Sequence, residues 1–189
     1  KADFCGRRCL DRRSTNGVRM SENIEIMWEG RFITAKRQGK WEYVSRSRGI
    51  RAAVILAIDA GHVLLVEQYR VPLGKNCIEL PAGLVGDHDH NSDEDSSIAA
   101  IRELEEETGY RAETIENCGE YYSSPGMVSE SFTLFKAGGL TKVSEGGGVD
   151  GENITVHRVA LAELSAFLAG KRNDGAGIDV KLLLFLQAG

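Results

Sequence analysis

The rhythm of apolar and polar positions divides the chain into a strand-like first part, one amphipathic helical stretch, and a mixed remainder. RFITAKR and KWEYVSRSR flank Gln38-Gly39 and predict a hairpin; RAAVILAID and HVLLVEQYR do the same around Ala60-Gly61. Ala52–Ile58 is apolar on both faces, as suits a central strand covered on both sides. The period then changes. Glu94–Thr108 reads as a helix closed by Gly109, with Ser92 or Asp93 available as its N-cap. TIENCGEYYSS, SFTLFKAG and ITVHRVA predict further strands, with the glycine-rich SEGGGVDGEN between the last two. LAELSAFLAG predicts a short helix stopped by Gly170, and IDVKLLLFLQ a closing helix. Strands mixed with few helices imply an α+β fold with helices packed on the sheet.

Composition narrows the class. With 189 residues, 42% of them hydrophobic, the chain can bury one core of ordinary domain size. A net charge of −5 gives no support for a nucleic-acid surface. Residues 1–20 hold six Lys/Arg against two Asp and read as a mobile basic tail. Cys5, Cys9, Cys77 and Cys118 lack the repeated spacing of a disulfide framework or zinc site, so reduced thiols are expected. No apolar run approaches the roughly 20 residues of a membrane span. The expectation is a cytoplasmic protein without membrane or nucleic-acid partners.

The helix raises the chemical question. At about 100° per residue, Ile98, Ile101 and Leu104 share one stripe, and Glu103, Glu106 and Glu107 lie nearly opposite. Like charges at this spacing destabilise a helix by roughly 0.2–0.5 kcal/mol per pair. A solvated face would tolerate them, but clustered carboxylate oxygens also suit a hard cation such as Mg²⁺, which bridges phosphates. His88, Asp89, His90 and Asp93 read as a solvated loop, since Mg²⁺ does not seek imidazole.

Glu94, then seven residues, then Arg102-Glu103-Leu104-Glu105-Glu106-Glu107-Thr108-Gly109-Tyr110 resembles the Nudix hydrolase signature G-x5-E-x7-R-E-U-x-E-E-x-G-U, U being bulky and apolar. The front of the signature departs from it. His88 stands where the glycine belongs, and Gly83 of LPAGL precedes Glu94 by ten intervening residues, which implies a five-residue insertion before the helix. The resemblance implies a Nudix fold, a mixed sheet between helices. It also implies Mg²⁺, with Mn²⁺ as a substitute, held by Glu103, Glu106, Glu107 and the carbonyl of Ala82. Arg102 would orient a carboxylate, and Glu94 would brace the loop.

VEQYRVPLGKNCIELPAGL and SSPGMVSE resemble the ADP-ribose pyrophosphatase branch of that family. The resemblance implies Arg70 near the substrate phosphates and the loop with Gly126, Met127 and Glu130 near the terminal ribose. WEGRFITAKRQGKWEYVSRSR resembles the branch's N-terminal antiparallel β-domain, here residues 21–48 ahead of a Nudix domain at 49–189. That domain is exchanged in a homodimer; Phe32 and Trp41 would clamp the base, with Arg46 or Arg48 near the phosphates. Phe32 packed in the core is an equally good reading. The implied reaction is Mg²⁺-dependent hydrolysis of ADP-ribose to AMP and ribose 5-phosphate. GDP-mannose or another nucleoside-diphosphate sugar is the alternative substrate. A silent nucleotide-binding module is the other alternative, disfavoured because every box carboxylate is kept. For the general base, Glu152 on a loop made mobile by Gly146, Gly147, Gly148 and Gly151 competes with Glu107 and Asp150.

Overall fold

The computed structural model describes residues 23–47, 51–85, 95–149 and 151–185; Arg48, His88–Glu94 and Asp150 lie outside them, as do Cys5 and Cys9. Thirteen strands and two α-helices are formed among the described residues. The main sheet runs in the order β13 (Gly177–Ile178), β6 (Lys75–Glu79), β5 (His62–Arg70), β4 (Arg51–Asp59), β10 (Ser131–Gly138), β9 (Thr114–Tyr122). It is mixed. β10 runs parallel to β4 from Phe132↔Ala52 to Ala137↔Ala57, and β9 returns antiparallel beside it.

β4 is apolar on both faces because each face meets a different core. Ala53, Ile55 and Ala57 pack with Leu104, Ala100 and Phe135 under α1 (Ser96–Thr108), and Val54 packs with Leu65, Ile78 and Leu164 on the side of α2 (Leu164–Asn173). The sheet therefore lies between the two helices, an α+β arrangement.

β4 pairs with β5 only at Ile58↔Val63 and Asp59↔His62. Its start pairs instead with β7 (Ala82–Val85), and β5 takes β12 (Thr155–Ala160) and β6 as partners. The strands part here, and the buried Leu80-Pro81 link between β6 and β7 crosses the gap. Ile55 N–H donates to the Pro81 carbonyl at 2.8 Å, which pins that crossing. A short pair of β8 (Tyr110–Arg111) and β11 (Thr141–Lys142) follows the helix.

A separate three-stranded sheet comprises β1 (Glu25–Glu29), β2 (Ile33–Gln38) and β3 (Trp41–Arg46). The hairpin at Gln38-Gly39 forms with Gly39 at φ 59. This sheet is tied to the rest at one edge: Val44 N–H donates to the Met127 carbonyl at 3.0 Å, and Ser129 N–H to the Val44 carbonyl at 2.9 Å.

Several elements differ from the sequence pattern. The N-cap of α1 is Asp95, whose side chain accepts from Ser97 N–H at 2.8 Å; the acid nearest the apolar run takes the cap, ahead of Ser92 or Asp93. α2 passes through Gly170 to Asn173. The closing helix is a 3-10 segment over Val180–Phe185. β1, β6 and β7 carry no clear alternation and are legible only in the structure. No helix among the described residues is long and apolar enough to cross a membrane.

Candidate active site

Where β4 and β5 part, a polar cleft of about 530 Å³ opens beside α1. Arg46, Arg70, Glu79, Ala82, Gly83, Glu103, Glu107, Glu130, Glu152 and Lys181 all line it. These ten residues come from eight elements or loops, and eight of the ten are charged.

The helix contributes differently from the projected stripe. Ile98 is 60% exposed, and the buried face holds Ala99, Ala100, Leu104, Glu107 and Thr108. Glu107 therefore points under the helix toward the β6–β7 crossing, where its Oε2 accepts from Ala82 N–H at 2.9 Å. Burial pushes its carboxyl up to about 8; the Ala82 N–H opposes this, Glu103 and Glu152 add to it, and Arg70 opposes it. Glu103 lies directly over Gly83. A Cβ on that glycine would overlap the Glu103 carboxylate, so LPAGL needs glycine there for close approach.

Arg102 holds both neighbouring acids, with Nη2 3.0 Å from Glu103 Oε1 and Nη1 donating to Glu106 Oε2 at 3.0 Å. Glu106 and Arg102 stand beside the cleft without lining it. Arg70 is fixed by a fork onto Glu79, Nε and Nη2 donating at 2.6 and 2.9 Å. Arg46 pairs with Glu130, which brings the N-terminal sheet to the cleft edge. Gly126 and Met127 lie in the loop that clasps β3, outside the cleft lining.

Phe32 and Trp41 also stay out of this chain's own cleft, at 61% and 65% exposure. Phe32 is not core, which removes the packing reading. Its ring instead carries Arg31, whose Cζ lies 5.1 Å from the centroid.

Glu152 does line the cleft. Its Oε2 accepts from Val149 N–H at 3.0 Å, and its carbonyl accepts from Gln68 Nε2 at 3.4 Å. The glycine-rich loop, expected to be mobile, is instead packed on the end of α1. Gly147 N–H donates to the Glu107 carbonyl at 2.9 Å and Gly148 N–H to the Glu106 carbonyl at 3.0 Å.

Glu79, Gln68 and Lys181 were not evident from sequence. An acid inside the apolar CIELP was the one available signal for Glu79. Lys181 comes from the 3-10 segment near the C-terminus, where it pairs with Asp179 at 2.6 Å.

Among the described residues no three His, Cys, Asp or Glu side chains converge on one point. The donor chemistry nevertheless fits a divalent cation. Glu103 and Glu107 line the cleft, where Glu103 and Glu152 help to raise the Glu107 carboxyl, and Mg²⁺ is commonly held by one or two carboxylates plus substrate phosphates.

Comparison with known proteins agrees with this geometry. The family model for the NUDIX domain matches residues 48–178. An ADP-ribose pyrophosphatase of Bacillus subtilis is 37% identical over 93 residues, 49% of this chain and 48% of that protein, so the matched stretch spans about half of that relative. A GDP-mannose pyrophosphatase of Cronobacter sakazakii is 32% identical over 180 residues, 89% of each chain. A solved ADP compounds hydrolase shares the fold with a TM-score of 0.62 at 22% identity, over 78% of this chain and 80% of that one.

Proposed function

This chain belongs to the Nudix hydrolase family, and on that footing we propose that it hydrolyses the diphosphate of ADP-ribose, giving AMP and ribose 5-phosphate. One observation carries the reading: a single polar cleft is lined by Arg46 and Arg70 together with the carboxylates of Glu103, Glu107 and Glu152. The cations suit the diphosphate, and the carboxylates suit metal and proton transfer.

Family members use divalent metal ions. Here Glu103, Glu106 and Glu107 with the Ala82 carbonyl would hold Mg²⁺, which neutralises the diphosphate and acidifies a water when bound. Arg102 orders Glu103 and Glu106. Arg70, pinned by Glu79, presents a fixed charge to the phosphates, so little side-chain freedom is lost on binding. Glu152, which lines the same cleft as Glu103 and Glu107, takes the proton of the attacking water.

The N-terminal sheet completes the site across a homodimer. Supporting this, Trp28, Phe32 and Trp41 each stand more than half exposed and away from their own chain's cleft. Trp41 and Phe32 stack the base there.

GDP-mannose is the second reading, favoured by the length of the match to the Cronobacter sakazakii protein. Incubation with Mg²⁺ and a panel of nucleoside-diphosphate sugars, products identified by mass, separates the two. ADP-ribose is expected to give the highest kcat/KM. A preference for GDP-mannose would replace the first reading, and no turnover of any member would sink both.

A further inference from the structure

We propose that Gly148 is a positioning residue for Glu152, and that the Ser144–Gly148 backbone sets the base against the metal-binding helix. This rests on the reading of Glu152 as the general base.

The last turn of α1 carries Glu106 and Glu107 and leaves its carbonyls without intrahelical partners, as any helix end does. The glycine-rich loop supplies those partners by backbone alone. Val143 and Ser144 N–H groups donate to the Gly109 carbonyl at 2.8 and 3.1 Å, Gly147 N–H to Glu107 and Gly148 N–H to Glu106. The loop then turns back, and Ile154 N–H donates to the Gly147 carbonyl at 3.1 Å. Two of the three residues assigned to metal, Glu106 and Glu107, therefore also hold, through their own carbonyls, the loop that carries the base.

Two glycines of the run are constrained differently. A Cβ on Gly146 (φ 67) would lie 2.6 Å from Gly109 N and 2.7 Å from the Glu107 carbonyl oxygen, both backbone atoms that cannot move without undoing the helix end. A Cβ on Gly148 (φ 79) would meet chiefly the side chain of Glu152, overlapping its carboxylate and lying 2.9 Å from its Cβ. Gly146 guards the docking and Gly148 guards the base. Glu152 Oε2 also accepts from Val149 N–H, so the carboxylate folds over Gly148 into the space that its missing side chain leaves.

The test measures kcat and KM for ADP-ribose with Mg²⁺, Mn²⁺ affinity by electron paramagnetic resonance, and Tm. It uses the full chain as wild type, Gly148→Ala, Glu152→Gln and the double variant. Gly61→Ala serves as a control for positive φ alone, since Gly61 (φ 72) faces open space in a hairpin remote from the cleft. Gly148→Ala is expected to lower kcat by roughly tenfold or more, because small misplacement of a reacting group is costly. KM and Mn²⁺ affinity should stay within about twofold, and the Tm loss should match Gly61→Ala. Gly146→Ala should instead lower Tm further. In the Glu152→Gln background, Gly148→Ala should add no further loss.

An equal loss of kcat in both backgrounds, or no loss in either, overturns the positioning role while leaving the base assignment intact. Full kcat in Glu152→Gln alone overturns the base assignment and the positioning role with it. If Gly148→Ala folds poorly, Gly148→Asn places the same Cβ with a residue that tolerates positive φ, and the same outcomes apply.

Discussion

Burial on the inner face of its helix, with Glu103 and Glu152 adding to it and the Ala82 amide and Arg70 opposing it, pushes the Glu107 carboxyl from an ordinary value near 4.5 up to about 8. A raised value in the folded state means the group favours folding below pH 4.5 and loses that contribution as pH rises through about 8. Metal-free protein should therefore lose stability across this window, and Glu107→Gln should flatten the loss, read by denaturant midpoints at pH 5, 7 and 9 in EDTA. Mg²⁺ should stabilise the wild type more at pH 9 than at pH 6, because only the ionised form binds metal. The same substitution should lower turnover of ADP-ribose by at least about 100-fold, as expected when metal-held charge stabilisation is lost. A pH-independent midpoint in the wild type, or full activity in the variant, would contradict this account of the residue. Trp41 separates binding from chemistry. A ring that stacks the base acts on ground and transition states alike, so Trp41→Ala should raise KM by on the order of tenfold with kcat little changed. An unchanged KM would place Trp41 outside the binding site.

α2 is held on the sheet by apolar packing of Leu164 and Leu168 and by a polar knot around Glu67. Lys171 Nζ donates to Glu67 Oε2 at 2.6 Å, His157 Nε2 to the same atom at 2.8 Å, and Asn76 Nδ2 to Oε1 at 3.1 Å. Burial alone would raise this carboxyl, but the Lys171, His157 and Asn76 hydrogen bonds outweigh it and hold it down at about 2. The stabilisation is therefore present above pH 4.5 and lost as pH falls through about 2. Glu67→Gln should cost roughly 1–3 kcal/mol at pH 7, the worth of a charged hydrogen bond. The variant and the wild type should converge in acid unfolding only as pH falls to about 2 and below. Equal stability at pH 7 would show that apolar packing alone docks α2.

Sequence made α1 legible because its chemistry is spaced in a fixed pattern, and β4 because both its faces are apolar. It misplaced the helix face, since Glu107 breaks the rule that acids face water and Ile98 breaks the converse. β6 and β7 were hidden by their shortness and by Pro81 and Gly83, which read as turn residues. The docking of the glycine loop on α1 was not legible at all. It is made by backbone amides and carbonyls, which carry no side-chain signature.

On the scale of the whole molecule, the exposed aromatics of the N-terminal sheet lie outside the cleft of their own chain. Trp28, Phe32 and Trp41 stand exposed at 57%, 61% and 65%. Ile24, Ile26, Met27 and Ile33 are exposed beside them, which makes the sheet unusually apolar for a surface. A two-chain mass is the expected result of light scattering on the full chain. A monomer with full activity would contradict the completed site.

In the proposed reaction the acidic cleft directs water onto a phosphorus of the diphosphate. Hydrolysis of ADP-ribose in ¹⁸O-water with Mg²⁺, followed by mass spectrometry of both products, tests it most directly. One heavy oxygen is expected in the phosphate of either AMP or ribose 5-phosphate, with the signal strongly reduced in Glu107→Gln. Heavy oxygen on the ribose carbon, or the same labelled products formed at the wild-type rate by Glu107→Gln, would contradict it.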